Sequence, residues 1–204
     1  MTTVYITRHG QTIWNIDYRL QGQKNSDLTE KGINQAKLLN KRMKDIHIDR
    51  IYSSPLKRTM ETANIIRGDR DIEIIKEEGL KELSFGDYEG RTREELKSEG
   101  KGKEIDGIFN YEEDAKAPNG ESLKDLYKRT SMALDKILGK EKGKTILIVT
   151  HGAALLAIYK YFSKDNEYYP KVMGQTSLTK VIDNGEGFEF EYINNKKHLE
   201  GSML

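Results

Sequence analysis

The chain has 204 residues, with 34 lysines and arginines against 33 aspartates and glutamates, and it has no cysteine. A net charge of +1 gives no bulk attraction to nucleic acid or to an anionic membrane, so neither is an expected partner. The missing cysteine excludes disulfides, thiolate catalysis and cysteine-bound zinc or iron–sulfur centres. The start, MTTVYITRHG, lacks a basic segment followed by a long apolar one, and no run approaches the roughly 18 apolar residues of a membrane span, so a soluble cytoplasmic protein is expected.

Val4 to Thr7 is short, apolar and β-branched, as a buried strand requires. Leu28 to Asp45 reads as a helix, with Ile33, Ala36, Leu39 and Met43 on one face. Asp49 to Ser54 is a second strand. A helix follows it, with Ser54 as N-cap and Pro55 at the first helical position. Asp71 to Glu78 (DIEIIKEE) is a third strand suited to a sheet edge. Gly100 to Gly120 is rich in Gly, Lys, Glu and Asp, and reads as a surface excursion or lid. Glu121 to Leu138 is the clearest helix. Its residues 123, 126, 127, 130, 133, 134, 137 and 138 share a face, and Ser122 with Asp125 forms a capping box.

Lys144 to Thr150 (KTILIVT) does not alternate, so it is a strand buried on both faces. Gly152 to Phe162 is the helix after it. Ser177–Asp183 and Gly187–Ile193 form an antiparallel pair around Asn184-Gly185. The last residues, NNKKHLEGSML from Asn194, read as a loose tail. Strand alternating with helix predicts one α/β domain, a three-layer α/β/α sandwich on a mainly parallel sheet.

Two segments echo one another. VYITRHGQTIWN begins at Val4 and ILIVTHGAALLA at Ile146, and each ends an apolar strand in His-Gly. Parallel sheets bind ligands beyond the carboxyl ends of their strands, so His9 and His151 are expected at one pocket. Gly10 and Gly152 let backbone approach a ligand closely. Arg8 lies beside His9, and Arg58 falls in the first turn of a helix, where positive potential favours anions. Two arginines, two histidines and a helix terminus suit a phosphate, whose oxygens the guanidinium fork grips in pairs.

TRHGQTIWN, RLQGQKNSDLTEKGINQA, IYSSPLKRTMETA, LKELSFGDYEG, PNGES and VTHGAA then follow in an order that resembles the histidine phosphatase superfamily, the phosphoglycerate mutase-like family, over roughly Val4 to Phe162. The resemblance implies that His9 is the nucleophile and becomes a phosphohistidine. It implies that Arg8, Arg58 and His151 hold the phosphoryl oxygens, and that Glu82 is the proton donor. Asn15 adds a polar contact, and Gln21, Gly22 and Gly152 complete the expected phosphate or substrate-binding set. No metal or other cofactor is expected, because arginines supply the positive charge.

The expected partner is a small-molecule phosphate monoester. The sequence leaves the oligomeric state open, a homodimer included. Mutases of this family usually carry an arginine directly after the acid; here Leu83 stands there. The 100–120 segment is short, with Glu112, Glu113 and Asp114 among its lysines, which favours a phosphatase. A 2,3-bisphosphoglycerate-dependent mutase and an α-ribazole phosphatase remain alternatives. Gln23 stands where the family often has an aromatic residue, which bears on the pocket wall and so on substrate choice. A zinc site of His9, His151 and Glu82 is the contrasting reading, without a His-Glu-x-x-His helix to support it.

Overall fold

The computed structural model describes residues 1–163 and 173–200. Its elements in chain order are β1 (Thr2–Arg8), α1 (Ile13–Ile16), α2 (Glu30–Arg42), β2 (Arg50–Ser53), α3 (Lys57–Arg67), β3 (Glu73–Lys76), α4 (Arg93–Ser98), α5 (Gly102–Phe109), α6 (Leu123–Lys140), β4 (Thr145–Thr150), α7 (Gly152–Phe162), β5 (Leu178–Asp183) and β6 (Phe188–Asn195). Three 3₁₀ turns join them, at Glu78–Leu80, Gly86–Tyr88 and Lys197–Leu199. Among the described residues no helix is long and apolar enough to cross a membrane.

The sheet order is β3-β2-β4-β1-β5-β6. The first four strands run parallel, and β5 and β6 add an antiparallel edge. The middles of the two central strands, Val4 to Ile6 and Ile146 to Val149, are apolar without alternation because both faces are covered. Val4, Ile6, Ile146 and Ile148 face α6 and α7, meeting Leu134, Ile137, Leu155 and Ile158. Tyr5, Ile51, Leu147 and Val149 face α2 and α3, meeting Leu39, Ala63 and Ile66. The alternation of side chains along a strand thus builds two separate cores, one per face. This is the mainly parallel three-layer arrangement that the strand–helix alternation predicts.

Three local expectations differ from the structure. The helix after β2 starts at Lys57, two residues later than Pro55 would set it. Leu56 is extended (φ −66°, ψ 142°) and is the N-cap, without a side-chain cap bond. Ser54 Oγ is taken up elsewhere, as described below. The 100–120 segment is more than a surface excursion, since it contains α5, an eight-residue helix. Ile105 and Ile108 of α5 are buried with Leu96, Tyr88 and Leu126 in a third apolar cluster, and Phe109 packs beside it. The abundant charges of this segment mask an apolar stripe at i, i+3 and i+4. The stretch from Asn194 does not begin as a loose tail. Asn194 and Asn195 end β6, and the turn at Lys197–Leu199 packs on α2, where Arg42 donates to His198 Nδ1 at 3.1 Å. The remaining tail residues, 201–204, lie outside the described ones.

Ile105 has no exposed surface, so Ile105→Ala is expected to cost about 2–5 kcal/mol in urea unfolding. A loss below about 0.5 kcal/mol, the range of surface changes, would mean that α5 does not belong to the core.

Candidate active site

β1 and β4 pair in parallel with Arg8 opposite Thr150. The next residue of each strand is therefore a histidine at the same height, and His9 N–H donates to Thr150 O at 3.0 Å. The two rings lie 5.3 Å apart, tilted by 59°. Both are buried. Gly10 is required next. A Cβ there would meet Gly32 O at 2.4 Å, so its absence lets α2 close against the loop that follows His9.

Donor–acceptor chemistry fixes the proton on each ring. His9 Nδ1 lies 2.7 Å from Gly10 O. A carbonyl only accepts, so Nδ1 carries the hydrogen and Nε2 keeps a free lone pair. His151 is the opposite tautomer. Arg58 Nε donates to its Nδ1 at 3.1 Å, and its Nε2 then donates to Ser54 Oγ at 2.8 Å. Burial first, then the charges of Arg58 and Arg8, hold His9 well below the usual imidazole range. Burial and Arg58 do the same to His151. Both rings are neutral near pH 7.

Arg58 has no exposed surface. Its Nη1 donates to Lys24 O at 2.8 Å and its Nη2 to Gly22 O at 2.7 Å. Burial pushes its pKa down to about 10. The carbonyls that hold it come from a turn that is itself held by Glu89. That carboxylate accepts from the N–H groups of Gln23 (2.8 Å), Lys24 (3.0 Å) and Phe85 (3.1 Å). Gly22 sits at φ +50°, and a Cβ on it would lie 2.0 Å from Glu89 Oε1, so glycine alone fits.

Arg8 Nη1 donates to Met173 O at 2.7 Å, while its buried Nε has no partner. Burial lowers its pKa, and the nearby Glu82 opposes that. Glu82 Oε1 accepts from the N–H groups of Leu83 (3.0 Å), Ala153 (3.1 Å) and Ala154 (3.1 Å). The carboxylate is thus anchored at the N-terminus of α7. Asn15 Oδ1 accepts from Thr12 N–H at 3.0 Å and closes the capping box of α1, which leaves its Nδ2 to offer. Gln21 is buried, and its Oε1 has no partner.

One cavity of about 280 Å³ is lined by Arg8, His9, Arg58 and Glu82, together with Asn15, Gln21, Gly22 and Gly152. Of the residues singled out in the sequence, His151, Gly10 and Gln23 do not open onto it. Gln23, read as a pocket-wall position, instead donates its Nε2 to Glu82 O at 3.3 Å. His151 is set apart by its place in the expected phosphate set. It stands behind His9 with both ring nitrogens engaged by protein. Sequence reasoning missed Ser54, assigned to a helix cap, and Glu89, whose partners are main-chain groups, two of them more than 60 residues away. It also missed the outer wall of Phe85, Ile108, Phe109 and Leu156. Ile108 and Phe109 reach the cavity because α5 is a helix. Among the described residues no three His, Asp or Glu side chains gather so as to hold a metal ion.

The family model for the histidine phosphatase superfamily (branch 1) matches residues 4–196. A probable phosphoglycerate mutase GpmB of Yersinia pestis is 40% identical over 155 residues, covering 76% of this chain and 72% of that protein. The structure of Bacillus stearothermophilus YhfR superposes with a TM-score of 0.91 at 35% identity, over 98% of this chain and 100% of that one. Phosphoserine phosphatase from Entamoeba histolytica, solved in complex with 3-phosphoglyceric acid, gives 0.81 at 31% identity over 98% and 100%.

The depressed histidine pKa values carry a signed consequence. The unfolded chain binds more protons than the fold below about pH 6.5, so the unfolding free energy falls as pH drops through that value. Nitrogen-15 NMR of the imidazoles is expected to show His9 and His151 neutral, in opposite tautomers, from about pH 7 down to pH 6. A ring that takes up its proton within that interval would contradict the geometry.

Proposed function

The chain belongs to the histidine phosphatase superfamily, branch 1, and on that premise we propose that it is a metal-independent phosphomonoesterase working through a phosphohistidine at His9. The observation that carries this is the Nδ1–H to Gly10 O bond, which aims a free Nε2 lone pair into a cradle with two arginines. A neutral imidazole is a competent nucleophile for phosphorus.

In the first step His9 Nε2 bonds to phosphorus and the ester P–O bond breaks. The leaving oxygen takes a proton from the carboxyl group of Glu82. In the second step water attacks the phosphohistidine, gives a proton to Glu82, and the P–N bond breaks to release phosphate. The transferring group is weakly bonded to both neighbours at the barrier, so positioning and positive charge supply most of the acceleration. Arg8 and Arg58 carry that charge, Asn15 Nδ2 adds a donor, and Gln21 and the Gly22 and Gly152 backbone shape the floor. In this reading His151 acts first on Arg58, holding its Nε. A direct bond from His151 to the phosphoryl group requires it to release Ser54 or Arg58.

Leu83 supports hydrolysis over mutase chemistry. It is buried, and it lines the cavity where the family's mutases usually place an arginine. Among the described residues of the outer wall the one cation is Arg19, already engaged by Gly90 O at 2.7 Å and Glu95 at 3.4 Å. A carboxylate on the substrate therefore meets mostly apolar side chains there. The second reading, a phosphoglycerate mutase, is favoured by the name of the Yersinia relative.

Phosphorus NMR with 3-phosphoglycerate and a trace of 2,3-bisphosphoglycerate separates the two. Free phosphate is expected; accumulation of 2-phosphoglycerate would make the protein a mutase. His9→Ala is expected to abolish turnover with the native circular dichroism retained, and more than trace activity would end the phosphohistidine route. Glu82→Gln is expected to lower kcat/KM by about 10²-fold or more on an alkyl phosphate, and far less on p-nitrophenyl phosphate, whose leaving group needs no proton.

A further inference from the structure

We propose that Arg129 and Glu121 are positioning residues for Glu82, forming a clamp that sets where the acid stands. This rests on the reading of Glu82 as proton donor. Glu121 belongs to the PNGES motif, which the phosphoryl chemistry does not otherwise use.

The segment from Lys81 to Phe85 lies in neither helix nor strand. Its main-chain polar groups therefore need partners from outside. Arg129, on α6, supplies two of them and also binds the carbonyl of Gly79 just before the segment. Its Nη1 donates to Gly79 O at 3.0 Å and Lys81 O at 2.9 Å, and its Nη2 to Glu82 O at 2.9 Å. Glu121 grips the same guanidinium from the other side, accepting from Nε at 2.6 Å and from Nη2 at 2.8 Å. It also binds the segment directly. Its N–H donates to Ser84 O at 2.9 Å, and its Oε2 accepts from Ser84 N–H at 3.3 Å. Both side chains are largely covered, at 25% and 15% exposure.

Glu82 is thus held twice. Its carboxylate rests on the first amides of α7, and its main chain rests on α6 through Arg129. Neither clamp side chain lines the cavity, and apart from a minor electrostatic lowering of the His151 pKa by Arg129, the clamp reaches the reaction through the acid. Misplacing a proton donor by a fraction of an ångström slows the steps that need it and spares those that do not.

That selectivity is the test. Arg129→Lys keeps the charge but loses the planar fork that reaches three carbonyls and a carboxylate together. Glu121→Gln keeps the shape and loses the charge. kcat/KM is measured for both, and for Glu82→Gln, on p-nitrophenyl phosphate and on 2-glycerophosphate, with circular dichroism and thermal unfolding as controls. This ratio reports the step that releases the alcohol and is blind to the later hydrolysis of phosphohistidine. The clamp variants are expected to lose about tenfold on the alkyl ester and less than about threefold on the nitrophenyl ester, the pattern of Glu82→Gln at smaller amplitude. Equal losses on both esters in a folded clamp variant, beside a selective Glu82→Gln, would overturn the positioning role and leave the acid in place. An unselective Glu82→Gln would overturn the acid assignment, and the clamp with it.

Discussion

A guanidinium with no exposed surface stands at the centre of this protein, and much of the site is arranged to tolerate it. Burying the Arg58 charge costs several kcal/mol unless hydrogen bonds replace the lost water. The replacements are two carbonyls and an imidazole, all neutral. Among the described residues no carboxylate bonds directly to it, and Glu82 and Glu89 act on it only from nearby. The charge is therefore solvated but not cancelled, and with Arg8 beside it the pocket keeps a positive potential that a phosphate dianion satisfies. The requirement propagates outward. The two carbonyls fix the turn at 22–24, the turn fixes Glu89, and the crowding around Glu89 admits only glycine at position 22.

The same charge sorts the two histidines. Donation from Arg58 Nε forces the lone pair of His151 toward it and sends its proton to Ser54. His9, on the neighbouring strand, is fixed by its own backbone instead, with its proton on Nδ1. Residues that repeat as His-Gly in the sequence thus end as opposite tautomers, one with its Nε2 lone pair free and one with both nitrogens engaged. Parallel pairing of β1 with β4 gives them equal height, and local hydrogen bonding gives them different work.

What the sequence reveals and what it hides follow the range of the interactions. Apolar runs such as ILIV at 146–149 declare strands covered on both sides, because that burial is written residue by residue. The capping box of Ser122 and Asp125 is equally local and is present in the structure. Ser54 also reads as a cap, from the Pro55 that follows it and without an acid three residues on, yet its hydroxyl meets a histidine 97 residues away as well as the Leu56 N–H. The distant partner is written in no local pattern. Glu89, Glu121 and Arg129 are harder still, since apart from the Glu121–Arg129 pair their partners are main-chain atoms that any sequence would offer. α5 was hidden by composition: three apolar positions in an otherwise charged stretch suffice once α4 and α6 supply the other walls.

The cavity is assembled from two sources that share little chain. The phosphate end is made by β1, α1, the turn at 21–24 and α3, while Phe85, Ile108 and Phe109 of the opposite wall come from the connection that leads to α6. Recognition of the reacting group and recognition of what it is attached to are therefore under separate hereditary control. A lineage can exchange or resize the 93–117 part of that connection, which holds Ile108 and Phe109 but neither Glu89 nor Glu121, and explore new alcohols while its bond-breaking apparatus stays unaltered. Such a division allows one scaffold to diversify without passing through inactive intermediates.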